Sequence, residues 1–330
     1  MRKILNTYVR LFKINMGNFE GQYKNPKYNV TKPERKFNKN AKILAVLNTY
    51  IPKGFIVQYN SRLYPSDEYK RYIHHRLECL KFTLACYNYF NAGMKYDLII
   101  VDNDSPEKKY LKNLKIPVYF RENTYFSFGA YRYAWRKFRD QYDYYIFHEM
   151  DWVPAKHYWL KDLVKKWVSD KRVGMIGNLV ENREWTDNPQ TDEQKVNNVF
   201  IEKINPKRKI QCNLDSEYLF TSSFVLRQMV DCDGWLIFKC SPKTNLSPAY
   251  NELAFQQPIL EMGYKISSYN DGKHTMFYSI YNRNFLNEWN HGLENLVPFV
   301  PEQTRLFISE MREYFNFYDH EKNNSYKGDI

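Results

Sequence analysis

Glu149 and Asp151 stand two positions apart at the end of Tyr144-Tyr145-Ile146-Phe147-His148, with only Met150 between them. In an extended chain alternate side chains project to the same side, so the two carboxylates would share one. Like charges closing an apolar run repel each other and are costly to desolvate, so the pair calls for a cation. Hard divalent ions such as Mn2+ or Mg2+ take oxygen ligands, commonly one or two carboxylates completed by substrate phosphates. Taken alone, the same spacing also fits a plain strand end that faces water. Two more polar clusters follow apolar runs in this way: Asn48-Thr49-Tyr50 after Ile43–Leu47, and Asp102-Asn103-Asp104 after Leu98–Val101. Each has an ordinary use, since Asp104 or Ser105 suits a helix N-cap before Pro106 and Asn48-Thr49 suits a turn.

What must position these residues is an alternation of buried strands and amphipathic helices. Ile43–Leu47, Leu98–Val101, Val118–Phe120, Tyr144–Phe147 and Val173–Gly177 are short continuous apolar runs, the pattern of strands covered on both faces. Between them Ile73, Leu77, Leu80, Leu84 and Tyr87 recur at helical spacing, as do Tyr131, Ala134, Trp135 and Phe138, and later Trp159, Leu160, Leu163 and Trp167. The expected class is α/β, with a mainly parallel sheet flanked by helices. In such sheets ligands bind outside the carboxyl ends of the strands, so the three polar clusters are expected to share one crevice. Further on, Ser247-Pro248 opens a helix and Gly263 closes it, with Pro258 expected to kink or interrupt it. Residues from Glu184 to Asn198 read as a polar loop.

The chain has 330 residues, a net charge of +12, 18% aromatic residues and five cysteines. That length supports a full core in one large domain, residues 42–330, preceded by a basic arm over 1–41. In the arm Leu5, Val9 and Phe12 share a helical face beside Arg2, Arg10 and Lys13, which fits docking on the domain or peripheral contact with a membrane surface. The odd cysteine count, without a Cys-x-x-Cys pair, fits reduced thiols and a cytoplasmic setting. No apolar run approaches the roughly 20 residues of a membrane span. The basic residues are scattered rather than blocked, which disfavours nucleic acid as partner and leaves phosphate-bearing small molecules.

From Lys42 to Tyr269 the chain resembles the nucleotide-sugar glycosyltransferases of the GT-A fold. The resemblance rests on the strand ending in Asn48-Thr49-Tyr50, the turn Val101-Asp102-Asn103-Asp104-Ser105, the helix entered through Phe128-Gly129-Ala130, the acidic motif, and a helix carrying Asn251-Glu252 and ending in Gly263-Tyr264. It implies a GT-A-like single domain with a nucleotide-binding part over about 42–154 and an acceptor part over about 155–330. By the same resemblance Thr49, Tyr50, Asp102 and Asp104 contact the nucleotide, with Arg121 grouped among these donor contacts. Glu149 and Asp151 then hold a divalent metal on the diphosphate, and Glu252 is the candidate base. The chain departs from the family in having Glu-Met-Asp for Asp-x-Asp, Asn251 for an acid, and no Gly-Gly acceptor turn.

Transfer from a nucleotide-diphosphate sugar needs the leaving phosphate neutralised and the acceptor hydroxyl deprotonated. Glu252 as an in-line base implies inversion at the anomeric carbon. His274 is a further candidate metal ligand, and Trp235 and Tyr250 are candidates for a stacking wall beneath a glycan acceptor. Two alternatives remain open at this stage. A sugar-phosphate nucleotidyltransferase would use a similar sheet and metal but wants a glycine-rich phosphate loop, which Asn48-Thr49-Tyr50-Ile51-Pro52 does not offer. A non-catalytic carbohydrate- or nucleic-acid-binding protein is the other.

Overall fold

The computed structural model describes residues 20–51, 76–106, 108–178, 180–190, 194–195, 198–199, 201–202, 210–214, 218–232, 234–235, 249–269 and 277–279. Strand β1 (Glu20–Gln22) is followed by β2 (Ile43–Thr49), helix α1 (Arg76–Tyr89), β3 (Asp97–Asp102), the short α2 (Lys109–Lys112) and β4 (Val118–Phe120). Then come α3 (Phe126–Phe138), β5 (Tyr144–Glu149), β6 (Trp152–Pro154), α4 (Trp159–Ser169), β7 (Val173–Gly177), β8 (Val180–Glu184) and β9 (Ile210–Leu214). The remainder is β10 (Tyr218–Ser222), α5 (Ser223–Cys232), α6 (Ala249–Glu261), β11 (Lys265–Ser268) and β12 (Phe277–Ser279).

Eight strands form one sheet in the order β1-β11-β7-β10-β5-β2-β3-β4. The pairs β4–β3, β3–β2, β2–β5 and β7–β11 are parallel, and the apolar runs fall on the strands expected of them. The fold is thus the expected mixed, mainly parallel α/β sheet. From β2 the chain winds outward through β3 and β4, then returns to place β5 on the other side of β2. That reversal leaves a crevice at the carboxyl ends of β2 and β5, where open α/β sheets bind their ligands. Strand β10 then enters antiparallel between β5 and β7.

The faces of β5 show why the sheet is covered twice. Tyr145 and Phe147 point to α3, where Trp135 meets Tyr145 edge-on at 5.2 Å and Tyr131 stacks on Phe147 at 5.0 Å. Tyr144 and His148 point to the other layer, against Trp167 and Tyr87. A continuous apolar strand therefore feeds two half-cores. A smaller cluster of Leu47, Ile51, Leu80, Leu84, Ile100, Leu111 and Met150 packs separately from this main core.

Helix α6 runs through Pro258 without interruption, against expectation. It is held by its partners instead: Gln256 clamps the Leu214 backbone of β9 through N–H (2.6 Å) and carbonyl (2.8 Å), and the Tyr23 hydroxyl donates to Gln257 at 2.7 Å. The closing Gly263 has φ +71°, the left-handed conformation expected of that residue. Residues 20–41, from the expected arm, lie on the domain, with β1 paired to β11 and the Arg35 guanidinium 4.1 Å over the Trp167 ring. The face proposed for membrane contact lies at 1–19, outside the described residues. Among the described residues no helix is long and apolar enough to cross a membrane.

Candidate active site

A continuous hydrogen-bond chain joins the ends of β2, β3, β4 and β5. The Glu149 carboxylate accepts from the Ser127 hydroxyl, whose oxygen in turn accepts from the Asn48 amide at 3.0 Å. The Asn48 carbonyl oxygen accepts from Asn103 at 2.7 Å, and the Asn103 oxygen accepts from the Arg121 guanidinium. Arg121 ends on the Thr124 hydroxyl at 3.0 Å. Thus the three polar clusters expected to converge do meet, through residues of which only Glu149 and Arg121 were assigned roles from sequence. Ser127 carried no such signal, because a serine in the first turn of a helix is usually read as helix-end chemistry.

Arg121 lies against the backbone of α3 because Gly129 lets it. A Cβ at Gly129 would sit 2.5 Å from one guanidinium nitrogen and closer still to the Thr124 carbonyl oxygen. Gly129→Ala should therefore cost about 1–3 kcal/mol, the range of overpacking, and displace Arg121 from Asn103. A denaturant melt reads the first effect. An unchanged midpoint would show that α3 yields without strain.

Thr49 and Asp102 do something different from the contacts expected of them. Both are fully buried, and the Thr49 hydroxyl donates to Asp102 at 2.9 Å. Asp102 also accepts from the Ser105 backbone N–H at 2.8 Å and from the Ser105 hydroxyl, which itself accepts from the Ile51 N–H at 2.7 Å. The knot ties the end of β2 to the turn after β3. Asp104 is exposed at φ 59°, with its carboxylate on Lys108 at 2.6 Å, so the capping carboxylate of this turn is Asp102. Tyr50 is half-buried at the mouth of the same turn.

The acidic motif turns the chain from β5 into β6, and its middle residue anchors it. Met150 is buried in the smaller core cluster, and its carbonyl accepts from the Thr83 hydroxyl of α1 at 2.5 Å. One residue earlier the Glu149 carbonyl lies 3.1 Å from His148 Nδ1. His148 is itself buried, with Nε2 2.8 Å from the Tyr87 hydroxyl, and burial lowers its pKa to about 3. It is therefore neutral at pH 7 and serves to fix the turn. Its place in an otherwise apolar strand was the available signal.

Asp151 Oδ1 is shut off from solvent with no hydrogen-bond partner. Burial raises the Asp151 pKa, and the positive charge of Arg76 partly opposes that shift. Removed from water, a carboxylate oxygen without a donor is the arrangement a cation relieves. Glu149 and Asp151 thus offer hard oxygen donors suited to Mn2+ or Mg2+. Among the described residues no group of three or more His, Cys, Asp or Glu gathers, so such an ion would complete its shell with substrate oxygens and water.

Trp235 packs edge-on against Phe255 at 4.7 Å and against Phe147 at 6.2 Å, and its indole N–H is buried without a partner. Glu252 and Tyr250 belong to the first turns of α6 by their backbone, but their side chains lie outside the described residues. His274 also lies outside them.

No protein-family model matches the chain, and no curated protein matches it. Solved structures to which it is similar include a mannosyltransferase from Pyrobaculum calidifontis in complex with GDP-Man and Mn2+, at 13% identity and TM-score 0.37, over 80% of this chain and 61% of that one. Another is TarS 1-349 of S. aureus, at 14% identity and TM-score 0.37, over 74% of this chain and 62% of that one. A third is CMP:2-keto-3-deoxy-manno-octonic acid synthetase complexed with CTP, at 10% identity and TM-score 0.39, over 69% and 89% respectively. The chain thus spans less than two thirds of the mannosyltransferase and of TarS 1-349.

Proposed function

We propose that this chain is a glycosyltransferase that moves a sugar from a nucleotide-diphosphate sugar to a carbohydrate hydroxyl, with inversion. The observation that carries the reading is the buried Asp151 oxygen with no hydrogen-bond partner, two residues after Glu149, whose own carboxylate is joined by hydrogen bonds to the ends of β2, β3 and β4. A divalent ion held by Glu149 and Asp151 would neutralise the diphosphate that leaves. His274 is a candidate for an additional ligand from the C-terminal segment.

The chain's own residues supply the rest. The buried Thr49–Asp102–Ser105 knot sets the loop against which the base and ribose rest, with Tyr50 and Asp104 at its surface. Arg121 holds Asn103 and faces the donor's negative charge. Glu252 takes the proton of the attacking hydroxyl, and Trp235 and Tyr250 form one wall for the acceptor glycan. The proposed setting is the cytoplasm.

The test is a thermal-shift screen of nucleotide sugars with and without Mn2+, since a ligand that binds only the folded state raises its melting temperature. One nucleotide sugar should stabilise the protein, and more strongly with Mn2+. No shift from any would overturn the reading. In the same assay Asp104→Ala should weaken donor affinity roughly 10-fold or more, the loss of about one hydrogen bond to a charged group. An unchanged affinity would leave Asp104 only its ion pair with Lys108.

A further inference from the structure

We propose that the outer face of α3 holds a second binding site, for a small phosphate-bearing ligand, carried by Arg132 and Arg136 and meeting the hydrogen-bond chain of the acidic turn only at Arg121. A cleft of about 410 Å³ runs along that face over Gly129, lined by Arg121, Tyr125, Arg132, Tyr133, Arg136 and Lys137. Its charged lining is wholly cationic. Arg132 and Arg136 have no carboxylate within ion-pair distance among the described residues, and Lys137 lies over the Tyr119 ring at 5.0 Å instead of against an acid.

The geometry of the helix separates this cleft from the acidic turn. At about 100° per residue, positions 129, 132 and 136 fall on the side of α3 opposite Ser127, which reaches Glu149. The first and last lining residues on the helix, Gly129 and Lys137, are roughly 12 Å apart at about 1.5 Å per residue. Arg132 and Arg136 are successive turns of one stripe, where the like charge of Arg136, after burial, lowers the Arg132 pKa. Two uncompensated guanidiniums side by side destabilise the empty helix face slightly. They favour a ligand that carries at least two negative charges close together.

Chemistry selects phosphate over other anions. Guanidinium forks match phosphate oxygens two by two, and Arg132 and Arg136 present two of them, the Arg121 fork being held by Asn103 and Thr124. The cleft has the size of a small-molecule site, and Tyr125 and Tyr133 offer flat walls for a sugar or base attached to the phosphate. An organic phosphate or diphosphate in free solution is thus the occupant, rather than a lipid surface, which would require a convex patch open to a plane. The inference does not rest on the proposed transfer, because neither Glu149 nor Asp151 takes part.

The experiment is isothermal titration of the full chain with pyrophosphate in the presence of a chelator, at 0.15 M salt, so that binding through a metal ion at the acidic turn is excluded. Pyrophosphate should bind with a Kd in or below the millimolar range. The paired change Arg132→Ala with Arg136→Ala should weaken it at least about 10-fold, while Arg132→Lys with Arg136→Lys, which keeps charge but loses the forks, should weaken it less. Both side chains are at least partly exposed, so the melting temperature should be nearly unchanged in each. Absence of binding by the wild-type chain, or equal affinity in the double alanine variant, would overturn the site. So would binding to phosphatidylserine vesicles that the alanine changes abolish while pyrophosphate fails to bind.

Discussion

Asp151→Asn should abolish metal-dependent turnover, by roughly 1,000-fold or about 4 kcal/mol, while leaving the metal-free protein at least as stable as wild type. The two halves of this expectation come from one observation. Asp151 Oδ1 is buried with no hydrogen-bond partner, and burial raises its pKa in spite of the Arg76 charge nearby. The folded chain therefore disfavours the negative charge it keeps at this position. An amide of the same shape removes that charge and its desolvation cost, so the fold does not suffer. Catalysis does, because the oxygen donor for the cation has become a weak neutral one. The measurement pairs turnover with melting curves, and Mn2+ should raise the wild-type midpoint but leave that of Asp151→Asn in place. Turnover that survives exhaustive chelation, or that persists in the variant, would remove the metal from the reading.

Glu252→Gln should lower kcat by roughly 100-fold or more with donor affinity almost intact, the range of a positioned general base. The residue lies in the first turn of a helix fixed along its second half: Gln256 grips β9, Gln257 receives Tyr23, and Gly263 stops the helix. A base on such a support does not need to be carried into place by a loop. It needs only to be ionised at the working pH, and the isosteric amide removes that ability without changing shape. The product's anomeric configuration is the second readout, since a base of this kind attacks in line and inverts. Retention, or near-normal turnover in Glu252→Gln, would move the search to Asp231, in the last turn of α5, and to Asp233, which follows α5 in the sequence.

Local pattern made the parallel half of the sheet legible. Apolar runs of four or five residues at β2, β3 and β5 specify strands buried on both faces, and the abrupt polarity after each marks the edge where ligands bind. What sequence periodicity cannot encode is pairing between distant strands. The entry of β10 antiparallel between β5 and β7 depends on Tyr218–His148 and Ser222–Tyr144 finding each other in three dimensions. For the same reason Thr49 and Asp102 look alike whether they face a ligand or each other, and only the fold shows that they are hydrogen-bonded together. The cationic stripe of α3 was available, because Arg132 and Arg136 are four apart on the face opposite the buried Ala134. Attention to the apolar stripe alone passes over it. The uninterrupted α6 shows the opposite failure: Pro258 weakens a helix locally, but the side-chain clamps of its neighbours on the sheet and on Tyr23 outweigh that preference.

The pairing of β1 with β11 sets an order of events during synthesis. Gln22 donates to the Gly263 carbonyl at 3.1 Å across 241 positions of sequence, and Glu20 lies opposite Ser267. β1 is made long before its partner strand and can dock only once β11 exists, and until it does β11 presents a bare strand edge on that side. Nascent chains arrested before Tyr264 would carry β1 without a place to bind. β1 then becomes the edge of the completed sheet, which reaches its full width only after β11 has been made.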